Sequence, residues 1–261
     1  MGFENKVAIV TGGAMGNGLG IVKVLAEKGA KISILDYSDT VETTVSDLKK
    51  QGYDVIGFKV DIRNKPEVKK CVDATFEKFG RLDILVNNAG VLKCEPFLEM
   101  SDELRDFHLD VNVKGPWNVT QCALPYMIKN HYGRVVTISS VTGEYVGDAG
   151  DMAYGTSKAA LIGFAKCLAM EVADKGITSN VLCPGYILTP MVEQLAKDTN
   201  PDDPESVLKI YAEGMPVQRL GRPADIGHLV AFLASEEAGF ITGASIVIDG
   251  GCILPETKAA E

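Results

Sequence analysis

Several kinds of protein are excluded by what this sequence does not contain. Apolar runs such as VAIV and DILV fall far short of the roughly 20 residues needed to cross a bilayer, so neither a membrane span nor a membrane partner is expected. The opening MGFENKVAIV has neither the basic stretch nor the long apolar core of a secretory signal, and Lys6 stands where a myristoylation signal carries Ser or Thr. A cytoplasmic protein is the expectation. The six cysteines, Cys71, Cys94, Cys122, Cys167, Cys183 and Cys252, form no C-x-x-C pair and have no His-x-x-x-His beside them. Neither a disulfide framework nor a metal site is signalled, and the thiols read as reduced and mostly packed. Positive charge is scarce: 26 Lys and Arg face 35 Asp and Glu, a net charge of −9. That balance opposes nucleic acid, whose binding depends on neutralising phosphates.

What remains is the composition of a globular protein, with 46% hydrophobic and 23% charged residues in a chain of 261. Short apolar runs alternate with amphipathic ones: KVAIVTG, GLGIVKVLAEKGA, KISILDY, VETTVSDLKKQG, DVIGFKVDI, KPEVKKCVDATFEKFG, RLDILVNNAG. Leu19, Val22, Leu25 and Ala26 recur at three- and four-residue spacing, as one helix face requires. VAIV, SIL and DILV read as strands covered on both faces, hence parallel.

Strand and helix in alternation imply an α/β fold, a doubly wound Rossmann-type parallel sheet with helices on both faces. The second half continues with a helical region from about Asp102 to Ile128, kinked at Pro116, then GRVVTISS as a strand and a helix from about Ala153 to Lys175. TSNVLCPG and SIVIDGG supply the last strands. No Gly/Ser-rich linker, charge block or repeat divides the chain, so residues 1–261 read as one domain. The segment at about residues 186–215 breaks the rhythm and begins where ligands bind in such sheets, beyond the carboxyl ends of the strands. It reads as a substrate lid. Its Met191, Val192, Leu195, Val207, Leu208, Ile210, Tyr211 and Met215 suit either a bulky apolar substrate, such as a hydroxysteroid, or the packing of the lid helices themselves.

The stretch TGGAMGNGLG packs five glycines into ten positions between the first strand and the first helix. It fits T-G-x-x-x-G-x-G rather than G-x-G-x-x-G, and its placement aims free backbone N–H groups and a positive helix end at an anion. Asp36 ends the second strand, 18 residues beyond Gly18. A carboxylate there caps the following helix or accepts hydrogen bonds from an adenosine ribose, and beside the glycines the ribose is favoured. A 2′-phosphate would be repelled, and Tyr37 and Ser38 offer it no basic neighbour, so NAD is expected over NADP.

Further on, AYGTSK places Tyr154 and Lys158 four apart on one helix face. A free tyrosine titrates at about 10, and a neighbouring ammonium has the right sign to lower it. Ser140 ends a buried-looking strand 14 residues earlier, and Asn112 lies in the helical region before that.

With N-N-A-G at residues 87–90 and P-G at Pro184 and Gly185, the chain resembles the short-chain dehydrogenase/reductase family over nearly its whole length. The resemblance implies NAD(P)-dependent interconversion of a secondary alcohol and a ketone. Tyr154 is implied as general acid/base, with Ser140 on the substrate oxygen. Lys158 would hold the nicotinamide ribose and depress the tyrosine, and Asn112 would anchor a water-linked proton path. Gly12, Met15, Gly16, Asn17 and Gly18 would take the pyrophosphate and Asp61 and Ile62 the adenine. Asn88, Ala89 and Gly90 would lie on the adenosine side, and Pro184, Gly185, Ile187 and Thr189 beside the nicotinamide. A homotetramer is also implied, and the apolar content of the long helices agrees with it. Asn17 departs from the family's usual Ile or Leu, and the interval from Ser140 to Tyr154 is one residue longer than in many members. Two alternatives remain: a 3-oxoacyl carrier-protein reductase, opposed by the net charge and Asp36, and a non-catalytic nucleotide-sensing protein, opposed by the full Asn112, Ser140, Tyr154, Lys158 set.

Overall fold

The computed structural model describes residues 2–254, so the ends of the expected domain, residue 1 and residues 255–261, lie outside the described residues. In chain order the elements are β1 (Val7–Thr11), α1 (Gly16–Glu27), β2 (Lys31–Asp36), α2 (Thr40–Lys50), β3 (Val55–Lys59), α3 (Lys65–Phe79) and β4 (Ile84–Asn87). Then follow α4 (Asp102–Leu109), a π-helical turn (Asp110–Lys114), α5 (Gly115–Lys129), β5 (Gly133–Ile138), α6 (Met152–Val172), a short 3₁₀ turn (Ala173–Lys175) and β6 (Ile177–Pro184). The last elements are α7 (Pro190–Thr199), α8 (Pro204–Gly214), α9 (Pro223–Leu233) and β7 (Ser245–Ile248).

The strands form one seven-stranded parallel sheet in the order β3-β2-β1-β4-β5-β6-β7. Alternate side chains of β1 serve opposite faces, as the two-residue period demands. Ala8 and Val10 pack with Ile21, Val22 and Leu25 of α1 and with Ile226 and Val230 of α9, while Val7 and Ile9 pack with Val72 of α3, Val119 of α5 and Leu168 of α6. Every residue of β1, β4, β5 and β6 is buried, which only strands covered on both sides can be, whereas the edge strands β3 and β7 are half-exposed.

The chain leaves β1 toward β2 on one side, and β4 pairs on the other, so the loops after β1 and β4 diverge. A crevice opens at that switch point, as in other open α/β sheets. The segment at residues 186–215 holds α7 and α8, joined by a short turn.

The helical region expected from about Asp102 runs without a break to Lys129, and it widens into the π turn at Asp110–Lys114 just before Pro116. One expectation is corrected. The cysteines are packed only in part, since Cys71, Cys122 and Cys183 are buried but Cys94 and Cys167 are exposed.

Candidate active site

At the carboxyl end of β1, Gly12 adopts φ +63°, and a Cβ on it would come within 2.9 Å of the Ala89 Cα. A Cβ on Gly18 would sit 1.9 Å from the Gly12 carbonyl oxygen. These two positions accept no side chain, and the backbone is drawn into a tight cradle ahead of α1. Thr11 and Asn88 lock that cradle to the end of β4: the Thr11 hydroxyl accepts from the N–H groups of Asn88 and Ala89, and the Asn88 amide donates to the carbonyls of Thr11 (2.9 Å) and Gly12 (3.1 Å).

Asp36 does not cap α2. It is buried, and its two oxygens accept from the N–H groups of Ala14 and Ser38, each at 2.9 Å. Each oxygen keeps capacity for a further donor.

The second half of the sheet supplies the other end of the site. Beyond β5, Ser139 and Ser140 alternate in direction. The Ser139 hydroxyl donates to the Lys158 carbonyl (2.7 Å) and docks α6, while Ser140 hydrogen-bonds Tyr154. Asn112, fully buried in the π turn, accepts from the Val91 N–H (2.8 Å) and donates to the Val91 carbonyl (3.0 Å) and the Ser157 hydroxyl (2.9 Å). Its side chain therefore ties the segment after β4 to α6, a task that explains a π turn at this point. Lys158 Nζ donates to the Ile138 carbonyl at 3.0 Å and lies 5.6 Å from the centre of the Tyr154 ring.

Of the residues singled out from the sequence, Gly12, Met15, Gly16, Asn17, Asp36, Asp61, Ile62, Asn88, Ala89, Gly90, Ser140, Tyr154, Lys158, Pro184, Gly185, Ile187 and Thr189 line one cavity of about 780 Å³. Gly18 and Asn112 do not reach it; they hold the residues that do. From the segment after β6, Met191, Val192, Leu195, Ile210, Tyr211 and Met215 also line the cavity, whereas Val207 is buried and Leu208 stays outside it. Tyr186 and Tyr211 stack with ring centres 4.4 Å apart and fix α8 to the end of β6.

The family model described as enoyl-(acyl carrier protein) reductase matches residues 12–252. The chain belongs to the short-chain dehydrogenase/reductase family. It is 50% identical over 255 residues to the oxidoreductase UcpA of Salmonella typhimurium, covering 98% of this chain and 97% of that one. It is 36% identical to the 3-oxoacyl-[acyl-carrier-protein] reductase of Thermotoga maritima over 97% of this chain and 100% of the relative. A solved variant of actinorhodin polyketide ketoreductase with NADPH superposes with a TM-score of 0.90 at 31% identity, covering 96% of this chain and 98% of that one. This short-chain dehydrogenase/reductase is an oxidoreductase, and its family works with a nicotinamide dinucleotide. No helix of the described residues is long and apolar enough to cross a membrane.

The protonation chemistry of this short-chain dehydrogenase/reductase departs from the sequence expectation. Burial pushes the Tyr154 hydroxyl up to about 12, against a lowering pull from the Ser140 hydrogen bond, and burial pushes Lys158 down to about 8. The expected lowering of Tyr154 by Lys158 fails because the ammonium is turned to the Ile138 carbonyl and desolvation outweighs its field.

Sequence reading also missed groups that line the cavity. Tyr37 and Arg63 lie at the Asp36 end, with Arg63 paired to Asp61 (2.6 Å) and stacked over Phe107 (5.5 Å). That pair holds the Asp61 carboxyl below its ordinary range. Asp148, Asp151 and Tyr186 lie at the Tyr154 end. Parallel pairing of Asp36 with Lys59 brings the Arg63 loop alongside, a juxtaposition that spacing alone does not reveal.

Asn17 lines the cavity, but its Oδ1 is shut off from solvent without a donor. Such an orphan acceptor costs about 1–3 kcal/mol. Asn17→Leu is expected to stabilise the protein by about 1 kcal/mol, raising Tm by roughly 2–4 °C. Thermal melting of both proteins checks this, and an unchanged or lower Tm contradicts it.

Proposed function

We propose that this protein interconverts a secondary alcohol and a ketone with NAD(H), as one cytoplasmic domain with a lid at residues 186–215, assembled as a homotetramer. The observation that carries the reading is one cavity with Ser140, Tyr154 and Lys158 at one end and Asp36 and the glycine cradle at the other. The cradle suits a dinucleotide, because the close backbone approach at Gly12 and Gly18 leaves no room for side chains and the start of α1 has no side-chain cap, so its first N–H groups are open to an anion. Gly12, Met15, Gly16 and Asn17 would hold the pyrophosphate, Asp36 the adenosine ribose, and Asp61, Ile62 and Asn88–Gly90 the adenine side. Pro184, Gly185, Ile187 and Thr189 would flank the nicotinamide, which when bound supplies or accepts the hydride.

The chain's own contribution is position and proton handling. Ser140 orients the substrate oxygen, Tyr154 gives or takes its proton, and Lys158 fixes the ribose. Asn112, through Val91 and Ser157, keeps α6 and the wall opposite it in register. Reduction starts from the Tyr154 hydroxyl and the Lys158 ammonium. With Tyr154 pushed up to about 12 and Lys158 down to about 8, kcat/KM for ketone reduction is expected to be level below neutrality and to fall as pH rises through about 8. Alcohol oxidation starts from the phenolate and should climb over the same range. Initial rates in both directions across pH check this, and reduction that is fastest in alkali contradicts it.

NADH oxidation with steroid, sugar, acyl-thioester and small-ketone substrates tests the function itself. The apolar lid residues on the cavity support a bulky apolar substrate such as a hydroxysteroid. Turnover of acyl-thioesters alone would favour the carrier-protein reductase reading instead, and binding of NADH without turnover of any ketone would favour a nucleotide sensor.

A further inference from the structure

The Tyr154 end of the cavity has apolar walls from Val91, Leu92, Val141, Leu195 and Ile210. Beside those walls stand two carboxylates from the loop that joins β5 to α6, the exposed Asp148 and the half-buried Asp151. Neither has an ion-pair partner among the described residues. Asp151 accepts a single hydrogen bond, from the Cys94 thiol at 3.0 Å, and this leaves its second oxygen uncommitted.

The cations that line the cavity are engaged elsewhere. Arg63 is held by Asp61 at the opposite end, and Lys158 is turned to the Ile138 carbonyl. The other ionisable groups facing this end are the hydroxyls of Tyr154, Tyr186 and Tyr211, the thiols of Cys94 and Cys252, and His108, whose field reaches Asp151 but whose ring nitrogens are engaged by the Lys93 N–H and the Leu104 carbonyl. Burial and the neighbouring Asp148 both push the Asp151 carboxyl up, as expected for an acid set in an apolar wall beside a like charge. Carboxylates without an ion-pair partner at the edge of an apolar cavity repel an anion and reward a donor; the reward is largest for a cation and is reduced where solvent reaches Asp148.

Resting on the alcohol/ketone reading of this cavity, we propose that the substrate has an apolar body and, apart from its carbonyl, a hydrogen-bond donor that meets Asp148 and Asp151. A cationic donor is favoured over a neutral hydroxyl, and carboxylates and phosphates are rejected. An apolar skeleton with a distant hydroxyl or ammonium group meets this requirement, and a keto acid does not.

The test uses cyclohexanones that differ only in the group opposite the carbonyl: isopropyl, hydroxyl, dimethylammonium or carboxylate. Isopropyl and dimethylammonium share a shape, so their difference reads charge alone. Binding to the enzyme–NADH complex is followed by NADH fluorescence, and turnover is followed separately. The dimethylammonium ketone is expected to bind about tenfold tighter than the isopropyl ketone, with the hydroxyl ketone between them and the carboxylate weakest. In Asp148→Asn/Asp151→Asn the charged pair should converge to within about twofold, with NADH binding retained as a check on folding. Asp148→Asn alone, whose side chain makes no hydrogen bond in the fold, should move the same way by part of that amount.

Equal binding of the carboxylate and ammonium ketones, survival of the order in the double variant, or no binding of the ammonium ketone at all overturns the proposal. Ordered binding without turnover of any ketone would instead remove the reaction class and leave the charge selectivity standing.

Discussion

Tyr154→Phe is expected to lower kcat and kcat/KM together by about a thousandfold, the range for loss of a positioned general acid, with the Kd for NADH changed less than about twofold. The reasoning is local. The substitution removes one hydroxyl whose partner is Ser140, while Lys158 remains tied to the Ile138 carbonyl and the α6 contacts through Ser139 and Ser157 are untouched. Steady-state kinetics and NADH fluorescence titration on the same preparation check both halves. A comparable loss of NADH affinity would make Tyr154 a structural residue, and retention of turnover would move the proton transfer to another group.

NAD(H) is expected to be preferred over NADP(H) by on the order of a hundredfold in kcat/KM, a few kcal/mol, and Asp36→Ala should bring that ratio to within a few-fold. Asp36 is buried and held by the N–H groups of Ala14 and Ser38, so it cannot swing away from a 2′-phosphate. The sequence offered no basic group nearby, yet the fold brings Arg63 to the same end of the cavity. Its Nε donates to both Asp61 oxygens, at 2.9 Å to Oδ2 and 3.0 Å to Oδ1, and that ion pair offsets its charge, leaving only Nη1 uncommitted toward an incoming phosphate. The Asp36 variant also loses two backbone contacts, so the NADH/NADPH ratio within each protein is the readout, because any general loss of activity cancels. Asp36→Asn, which keeps an acceptor, serves as the companion. Equal use of both cofactors by the parent, or an unchanged ratio in Asp36→Ala, contradicts the assignment.

What the sequence revealed and what it hid divide along one line: whether a residue's role is set by near neighbours or by distant ones. The glycine turn, the Tyr154–Lys158 pair and the strand–helix alternation are short-range features, and all stand in the structure where the spacing put them. Asn112 was found by its motif, but not its setting, because a π turn is stabilised by Val91 and Ser157 from other elements. Arg63 was missed because it reaches the site through the pairing of β3 with β2. Asp148 and Asp151 were missed because a loop of small and charged residues carries no periodicity to say which side chains turn inward. The direction of the Tyr154 shift was misread because a count of nearby charges does not include burial, and burial outweighs the ammonium here. The sequence leaves Asp36 between two roles, and its hydrogen bonds to Ala14 and Ser38 remove the one as cap of α2.

The most direct test of the central claim is isotope transfer. NADH carrying deuterium at the transferable position is mixed with the enzyme and a ketone that supports NADH oxidation in the substrate panel, and the product is analysed by NMR. Deuterium at the carbinol carbon, in step with NADH consumed and lost in Tyr154→Phe, is the expected result. NADH that binds but delivers deuterium to no ketone, or transfer that continues undiminished in Tyr154→Phe, contradicts the account.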